Sequence, residues 1–240
     1  MNVTFLGTRG YIEESSPLHA MHSALMLSCR GKRLLLDAGE TWTGRLRRLR
    51  PDWIAITHAH PDHSFALKGG CDVPVYVSEE SRALLAAAPV KQFRVFDAGQ
   101  TLRLGPFTVR PYDVIHSIRA PAVGFRVRAD GVTLVYNPDL ISIPDEEHML
   151  RGVDVYIGDG ASLTRPLVRR RGEALFGHTT VRAQLGWCKR HAIPRAYIVH
   201  CGKQLVEMDP RELQRRVQEL AGPAVRATVA RDGQRVRLGA

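Results

Sequence analysis

With 240 residues, 44% of them hydrophobic, the chain has the material for one α/β domain, and no Ser/Gly-rich or Pro-rich linker divides it. The reading is a single domain over 1–240. No apolar run approaches the roughly 20 residues that a bilayer-crossing helix needs, and Met1-Asn-Val-Thr-Phe-Leu-Gly7 passes straight into a strand-like pattern. No membrane span and no signal peptide are expected, and a cytoplasmic location is. The net charge of +10 comes from 34 basic residues, of which five are lysines (Lys32, Lys68, Lys91, Lys189, Lys203) and 29 arginines. Arginine grips phosphate bidentately, so this bias suits a handler of phosphodiesters or nucleic acid; a compositional preference spread over a solvated surface would give the same total.

In chain order, short apolar and β-branched runs predict strands over Val3–Leu6, Ala24–Leu27, Arg33–Leu36, Trp53–Thr57, Val73–Val77 and Phe93–Phe96. A second series follows over Phe107–Val114, Val123–Val127, Val132–Tyr136, Val153–Ile157, Ala196–Val199 and Val225–Val236. Ala129-Asp130-Gly131 and Asp232-Gly233 read as tight hairpin turns within it. Helices are fewer and carry end signals. Ser78 precedes one with Leu84-Leu85 on its face, Thr179 opens Val181–Lys189, and Asp209-Pro210 starts Arg211–Leu220, which Gly222 and Pro223 end. Strands ahead of helices in each half suggest two sheets face to face with helices outside them. The four cysteines, Cys29, Cys71, Cys188 and Cys201, form no C-x-x-C pair and suit free thiols in a reducing compartment.

The chemistry concentrates in Ile54-Ala-Ile-Thr-His58-Ala-His60-Pro-Asp62-His63, a hydrophobic strand that ends in three histidines and a carboxylate. His58 and His60 are two apart and project the same way from an extended segment, while Pro61 breaks the strand and lets Asp62 and His63 turn back toward a neighbouring point. One segment can then serve two metals. Imidazole and carboxylate suit Zn²⁺, with Mn²⁺ or Fe as alternatives, and water in an open position of such a site ionises near neutral pH.

His58-x-His60-x-Asp62-His63 resembles the signature of the metallo-β-lactamase superfamily. Val114-Ile-His116-Ser117, Tyr136-Asn-Pro-Asp139 and Ile198-Val-His200 resemble its later motifs, in the family's order and at strand ends. The resemblance implies an α/β fold, a four-layer αβ/βα sandwich, and a pair of divalent metal ions. His58, His60 and His116 would hold one, Asp62, His63 and His200 the other, with Asp139 and a hydroxide bridging them. Phe5-Leu-Gly7-Thr8, Leu35-Leu-Asp37-Ala-Gly39-Glu40-Thr41 and Gly177-His178-Thr179-Thr180 are similar to ribonuclease Z and its phosphodiesterase relatives. That likeness implies that His178 is a proton donor rather than a ligand, paired with an acid at Asp159 where the family has glutamate. Asp62, His178 and Asp159 are thus the catalytic residues it implies, and Asp37 an orienting partner of a ligand histidine. Asp159 between glycines can equally cap a turn. His22 lies where the family approaches the site, although a polar loop residue is its simpler reading. His19, His148 and His191 receive no role. Cys201, next to His200 on a strand, should point to the opposite face.

Two departures limit the likeness. Only 22 residues separate His116 from Asp139, and the Ala122–Val127 and Val132–Tyr136 hairpin uses them, so the family's tRNA-gripping arm has no room. The last motif reads His200-Cys-Gly in place of His-Phe-Ser. The expectation is a two-metal hydrolase of a small or flexible phosphodiester, such as a cyclic nucleotide or an RNA end. A tRNA 3′-processing endonuclease, a lactone or thioester hydrolase and a binding-only protein are the alternatives, and a homodimer is left open.

Overall fold

The computed structural model describes residues 1–239. Asn2–Gly7 (β1), Ala24–Cys29 (β2) and Lys32–Leu36 (β3) form an antiparallel meander. From β3 outward the pairing turns parallel, adding Trp53–Ala55 (β4), Val75–Val77 (β5) and Phe93–Val95 (β6). Parallel neighbours need crossovers, and these carry the helices Leu46–Leu49 (α1), Pro61–Ser64 (α2) and Glu79–Leu84 (α3). The second half repeats the plan. Leu102–Leu104 (β7), Phe107–Val114 (β8), Ala122–Ala129 (β9) and Val132–Asn137 (β10) pair antiparallel. Glu146–Leu150 (α4) leads to Val155–Asp159 (β11), which lies parallel to β10. A separate hairpin of Leu167–Arg171 (β12) and Ala174–His178 (β13) follows, then Val181–Arg190 (α5) and Arg195–Val199 (β14). Lys203–Glu207 (α6) and Pro210–Ala221 (α7) lead to Arg226–Val229 (β15), and Gln234–Arg237 (β16) ends the series.

The two large sheets run β16-β1-β2-β3-β4-β5-β6 and β15-β14-β11-β10-β9-β8-β7. Their inner faces share one core, with Phe5, Leu27 and Leu36 from the first sheet and Phe107, Phe125 and Leu134 from the second. Each such buried side chain contributes about 1.5–3 kcal/mol by leaving water. Alternate residues face outward under helices: Leu35 and Ile54 join Leu46 and Leu85 on one side, Tyr156 and Ile198 join Leu185 and Val217 on the other. Helix, sheet, sheet and helix are the four layers expected.

Local signals acted as their chemistry requires in most places. Ser78 accepts from Ser81 N to cap α3, and Asp209 caps α7 through Arg211 N and Glu212 N ahead of Pro210. Asp130 and Gly131 both take positive φ in the β9–β10 turn. Two expectations are corrected, and one element had no expectation. The residue that caps α5 is Thr180, whose side chain accepts from Ala183 N, because it and not Thr179 stands next to the first helical turn. Val225–Val236 is not one hairpin. β15 lies parallel to β14 in the second sheet, while β16 lies antiparallel to β1 in the first. Asp232-Gly233 is where the chain changes sheets, and the Asp232 carboxylate accepts from Thr8 N, Ala20 N and Met21 N there. Finally, β12–β13 was not foreseen, since Leu-Val-Arg-Arg-Arg lacks a buried face to alternate with.

Candidate metal centre

The site lies at the carboxyl ends of strands from both sheets, where backbone groups leave the ladders and loops can converge. His58 and His60 follow β4; Asp62 and His63 sit on α2; His116 follows β8, Asp139 follows β10 and His200 follows β14. Pro61 at the first helical position turns the chain from extended His60 into α2, as the sequence suggested. Gly39 permits this turn to pack against the loop after β3, since a Cβ there would overlap the Asp62 carbonyl oxygen.

All seven expected ligands meet. Ligand atoms of His58, His60, His116 and Asp139 lie within 4.8 Å of one another, as do those of Asp62, His63 and His200. Asp139 spans the two groups: Oδ2 is 3.3 Å from His116 Nε2 and 3.4 Å from His63 Nε2, and Oδ1 is 3.1 Å from His200 Nδ1. His58 Nε2 faces His60 Nδ1 at 2.9 Å, and Asp62 Oδ2 lies 3.0 Å from His200 Nε2. Burial without partners is the test of fit. His63 Nε2, Asp139 Oδ1 and His200 Nδ1 are all buried with no hydrogen-bond partner among the described residues. Unsatisfied buried polar atoms cost about 1–3 kcal/mol each, so a convergent set of them suits a cation.

Outer partners fix which nitrogen faces inward. His63 Nδ1 donates to Asp37 Oδ2 at 2.8 Å, His116 Nδ1 donates to the Gly177 carbonyl at 3.0 Å, and His58 Nδ1 lies 3.0 Å from Thr57 Oγ1. Each leaves Nε2 free for the centre. Asp37, which is fully buried, also accepts from Thr57 N at 2.8 Å, from Thr57 Oγ1 at 3.0 Å and from Tyr136 Oη at 3.1 Å. One carboxylate thereby steadies a histidine of each group, directly for His63 and through Thr57 for His58. Thr57, Tyr136 and Gly177 were missed by sequence reasoning. The position of Thr57 beside His58 was the available signal; Tyr136 reaches Asp37 from the opposite sheet, which no local pattern reveals.

The protonation balance agrees with these roles. Burial pushes His58 well down and His116 down to about 4, so both are neutral and carry lone pairs. Burial would raise Asp62 and Asp139, yet the surrounding imidazoles hold both well below the ordinary carboxylate range. Burial would lower His63, but Asp139, Asp62 and Asp37 raise it well above its ordinary value. The carboxylates around it favour positive charge at that point.

His178 and Asp159 stand beside this centre. His178 Nδ1 is 2.7 Å from Asp159 Oδ2, so aspartate, shorter by one methylene than the glutamate of the family, still reaches the imidazole. Asp159 also accepts from Ala161 N at 2.7 Å, and the turn-capping role therefore coexists with the pairing. Burial works against a charged His178, but the Asp159 carboxylate outweighs it and raises the imidazole. The two join Asp139 and His200 in a further cluster of ligand-type atoms. Gly177 holds the base of this hairpin, its N–H donating to the His116 carbonyl at 2.8 Å with φ at 120°.

His22 is buried with Nδ1 unpartnered and its ring 5.9 Å from Tyr11, so it is not the ordinary polar loop residue that its sequence context suggested. Cys201 is buried in the outer core with Leu205 and Val206, apart from the candidate ligands; it is not strand alternation that sends it there, because β14 ends at Val199 and His200 takes a positive φ of 49°. His19 meets Thr8 Oγ1 at 2.8 Å, His148 meets Arg110 at 3.1 Å and His191 meets Glu146 at 3.0 Å, all apart from the centre. A cleft of about 620 Å³ opens over the site, lined by His60, Asp62, His116, Asp139, His178 and His200 together with Tyr11 and Lys203. Among the described residues no helix is long and apolar enough to cross a membrane.

Comparison with known proteins agrees with this geometry. A ribonuclease Z from Alkaliphilus oremlandii is 36% identical over 75 residues, covering 29% of this chain and 22% of that protein's length. The metallo-beta-lactamase fold protein YhfI from Bacillus subtilis superimposes with a TM-score of 0.74 at 18% identity, over 98% of each chain. A diphosphatase of the PhnP family gives 0.72 at 22% identity, over 98% of this chain and 97% of the other. The Beta-lactamase superfamily domain matches residues 32–201, so that the two sheets, the convergent strand ends and the histidine–aspartate cluster have one source: this chain belongs to the beta-lactamase superfamily, in its metallo-β-lactamase fold.

Proposed function

We propose that the protein is a two-metal phosphodiesterase. His58, His60 and His116 would hold one divalent ion, Asp62, His63 and His200 the other, and Asp139 would bridge them. Zinc suits these donors best, with manganese and iron as alternatives. The ions would activate a water and offset the negative charge of a phosphoryl group. Asp62 would contribute both a ligand oxygen and charge beside the reacting atoms.

The observation that carries the reading is His178 on the cleft wall, with its Nδ1 2.7 Å from Oδ2 of the buried Asp159 behind it. Its Nδ1 engaged by Asp159, the His178 ring is set in the tautomer that leaves Nε2 to exchange a proton in the cleft. A phosphodiester whose leaving group is an alkoxide needs such a donor; a thioester, which expels a far less basic thiolate, does not. Similarity to ribonuclease Z supports a tRNA 3′-processing endonuclease as the second reading, against which stands the short β9–β10 hairpin in place of an arm. The metal-loaded protein should be assayed against bis(p-nitrophenyl) phosphate, a cyclic nucleotide, a tRNA precursor and a lactone panel. Turnover confined to the lactones would remove the phosphodiesterase reading.

A further inference from the structure

The hairpin β12–β13 belongs to neither large sheet and stands at the edge of the cleft. Gly172, with φ at 60° at the first central position, makes the two-residue turn that joins its strands. Cross-strand partners share a face, and here Leu167 pairs with His178, Arg169 with Phe176 and Arg171 with Ala174. The face that holds His178 therefore continues outward through Phe176 beside Arg169 and then Arg171. All of Leu167–Arg171 is exposed, as is Arg165 just before it.

Some exposed arginines elsewhere meet carboxylates, as Arg190 does with Glu146 and Arg215 and Arg216 with Glu212, while others, such as Arg235 and Arg237, stand in no ion pair among the described residues; what sets the hairpin's arginines apart is their place at the edge of the cleft. Among the described residues no ion pair engages Arg165, Arg169, Arg170 or Arg171, and Glu173 at the turn is the hairpin's one acid. A second cleft of about 450 Å³, lined by Arg165, Arg169 and Phe176, joins the main one at Leu167 and His178. A small diester seated at the ligands would not reach the far end of this ribbon. His178 to Ala174 is four residues of strand, roughly 13 Å.

We infer that the β12–β13 hairpin is a track for single-stranded polynucleotide, its arginines holding backbone phosphates and Phe176 stacking on a base as the strand leads to His178. This rests on the phosphodiesterase reading and deepens it, naming a chain-like substrate of which the scissile bond is one end. Aromatic stacking with flanking arginine is the sequence-tolerant way to hold such a strand.

The test is binding of a fluorescently labelled single-stranded oligoribonucleotide, followed by anisotropy across a salt series. Two triple variants each remove three positive charges. Arg165→Ala/Arg169→Ala/Arg171→Ala alters the hairpin; Arg48→Ala/Arg235→Ala/Arg237→Ala alters a separate groove on the first sheet. Each phosphate that is no longer neutralised should flatten the log–log salt dependence by about 0.7, so the hairpin triple should lose roughly two units of slope and weaken binding at least ~10-fold. The second triple should stay near the wild-type slope, and Phe176→Ala should weaken binding with the slope unchanged. Equal slopes for the two triples would mean that overall charge, not the hairpin, captures RNA, and would overturn the inference. So would no binding by the wild type, or a dimer that only the hairpin triple dissociates in sedimentation, which would make the ribbon an interface between copies. Hydrolysis of bis(p-nitrophenyl) phosphate by the wild type tests the underlying reading separately from the track.

Discussion

Nδ1 of His178 lies 2.7 Å from Oδ2 of the fully buried Asp159, while the His178 ring stacks 5.4 Å from that of His200. A histidine so placed is close enough to the centre to serve the reaction and is already committed to a carboxylate outside it. As a ligand, its removal would lower metal content and damage every substrate alike. As a proton donor, His178→Ala should keep normal metal content, with kcat for an alkoxide leaving group reduced about 10²–10⁴-fold and a much smaller loss for p-nitrophenolate, which hardly needs protonation. Asp159→Asn should echo this more weakly, since it keeps the contact and removes the charge that raises His178. Parallel rate measurements with the two leaving groups decide it; equal losses would return lactone or thioester hydrolysis to consideration.

Asp37 has two duties that a substitution can separate. Its φ of 60° lies in the left-handed region, which asparagine tolerates and alanine does not. Asp37→Asn should therefore fold normally yet bind metal about 10–100-fold more weakly, because it weakens the hold on His63 and on Thr57. Asp37→Ala should add a loss of thermal stability. Metal titration and thermal melts on both variants provide the comparison.

The convergence of the candidate ligands was legible because each stands within a few residues of a strand end, where a short motif records local geometry. The pairing of Asp159 with His178 was likewise implied by motif order, although only the fold shows that aspartate reaches. What escaped depends on distant parts of the chain. β15 and β16 are both strands by propensity, and nothing local states that one pairs with β14 and the other with β1. Tyr136 reads as a core residue until the opposite sheet brings Asp37 to its hydroxyl. The β12–β13 hairpin lacks apolar alternation because both its faces meet solvent, and the turn glycine Gly172 was its one local mark.

Asp232 illustrates a stability role at the crossing between sheets. Its carboxylate accepts from three backbone N–H groups and from Thr8 Oγ1 at 2.8 Å. Asp232→Ala leaves these donors to be met by water, and hydrogen bonds to a charged group contribute about 1.5–3 kcal/mol. We expect a stability loss of about 2–4 kcal/mol in denaturant unfolding, allowing for more than one bond. Metal affinity should change little, since among the described residues the hydrogen bonds of the Asp232 carboxylate go to Thr8, Ala20 and Met21 and to none of the candidate ligands.

The number of ions discriminates between one site and two. A tetrahedral site uses four donors, whereas seven converge here with Asp139 between the groups. Metal analysis of the wild type should give about two ions per chain. His63→Ala removes a donor from the Asp62–His200 group and leaves His58, His60 and His116 in place, so roughly one ion should remain. His116→Ala should do the reverse, although Gly177 then loses the imidazole that donates to its carbonyl, and the hairpin base should loosen with it. The pair of variants should therefore match in stoichiometry and differ in hydrogen exchange around residues 165–178, with faster exchange only in His116→Ala. Complete loss of metal from both would mean that the ions bind as one cooperative cluster, and retention of two ions by either would place the ligands elsewhere. Because ions bound to the folded state stabilise it by mass action, chelation should also lower the melting temperature of the wild type more than that of either variant.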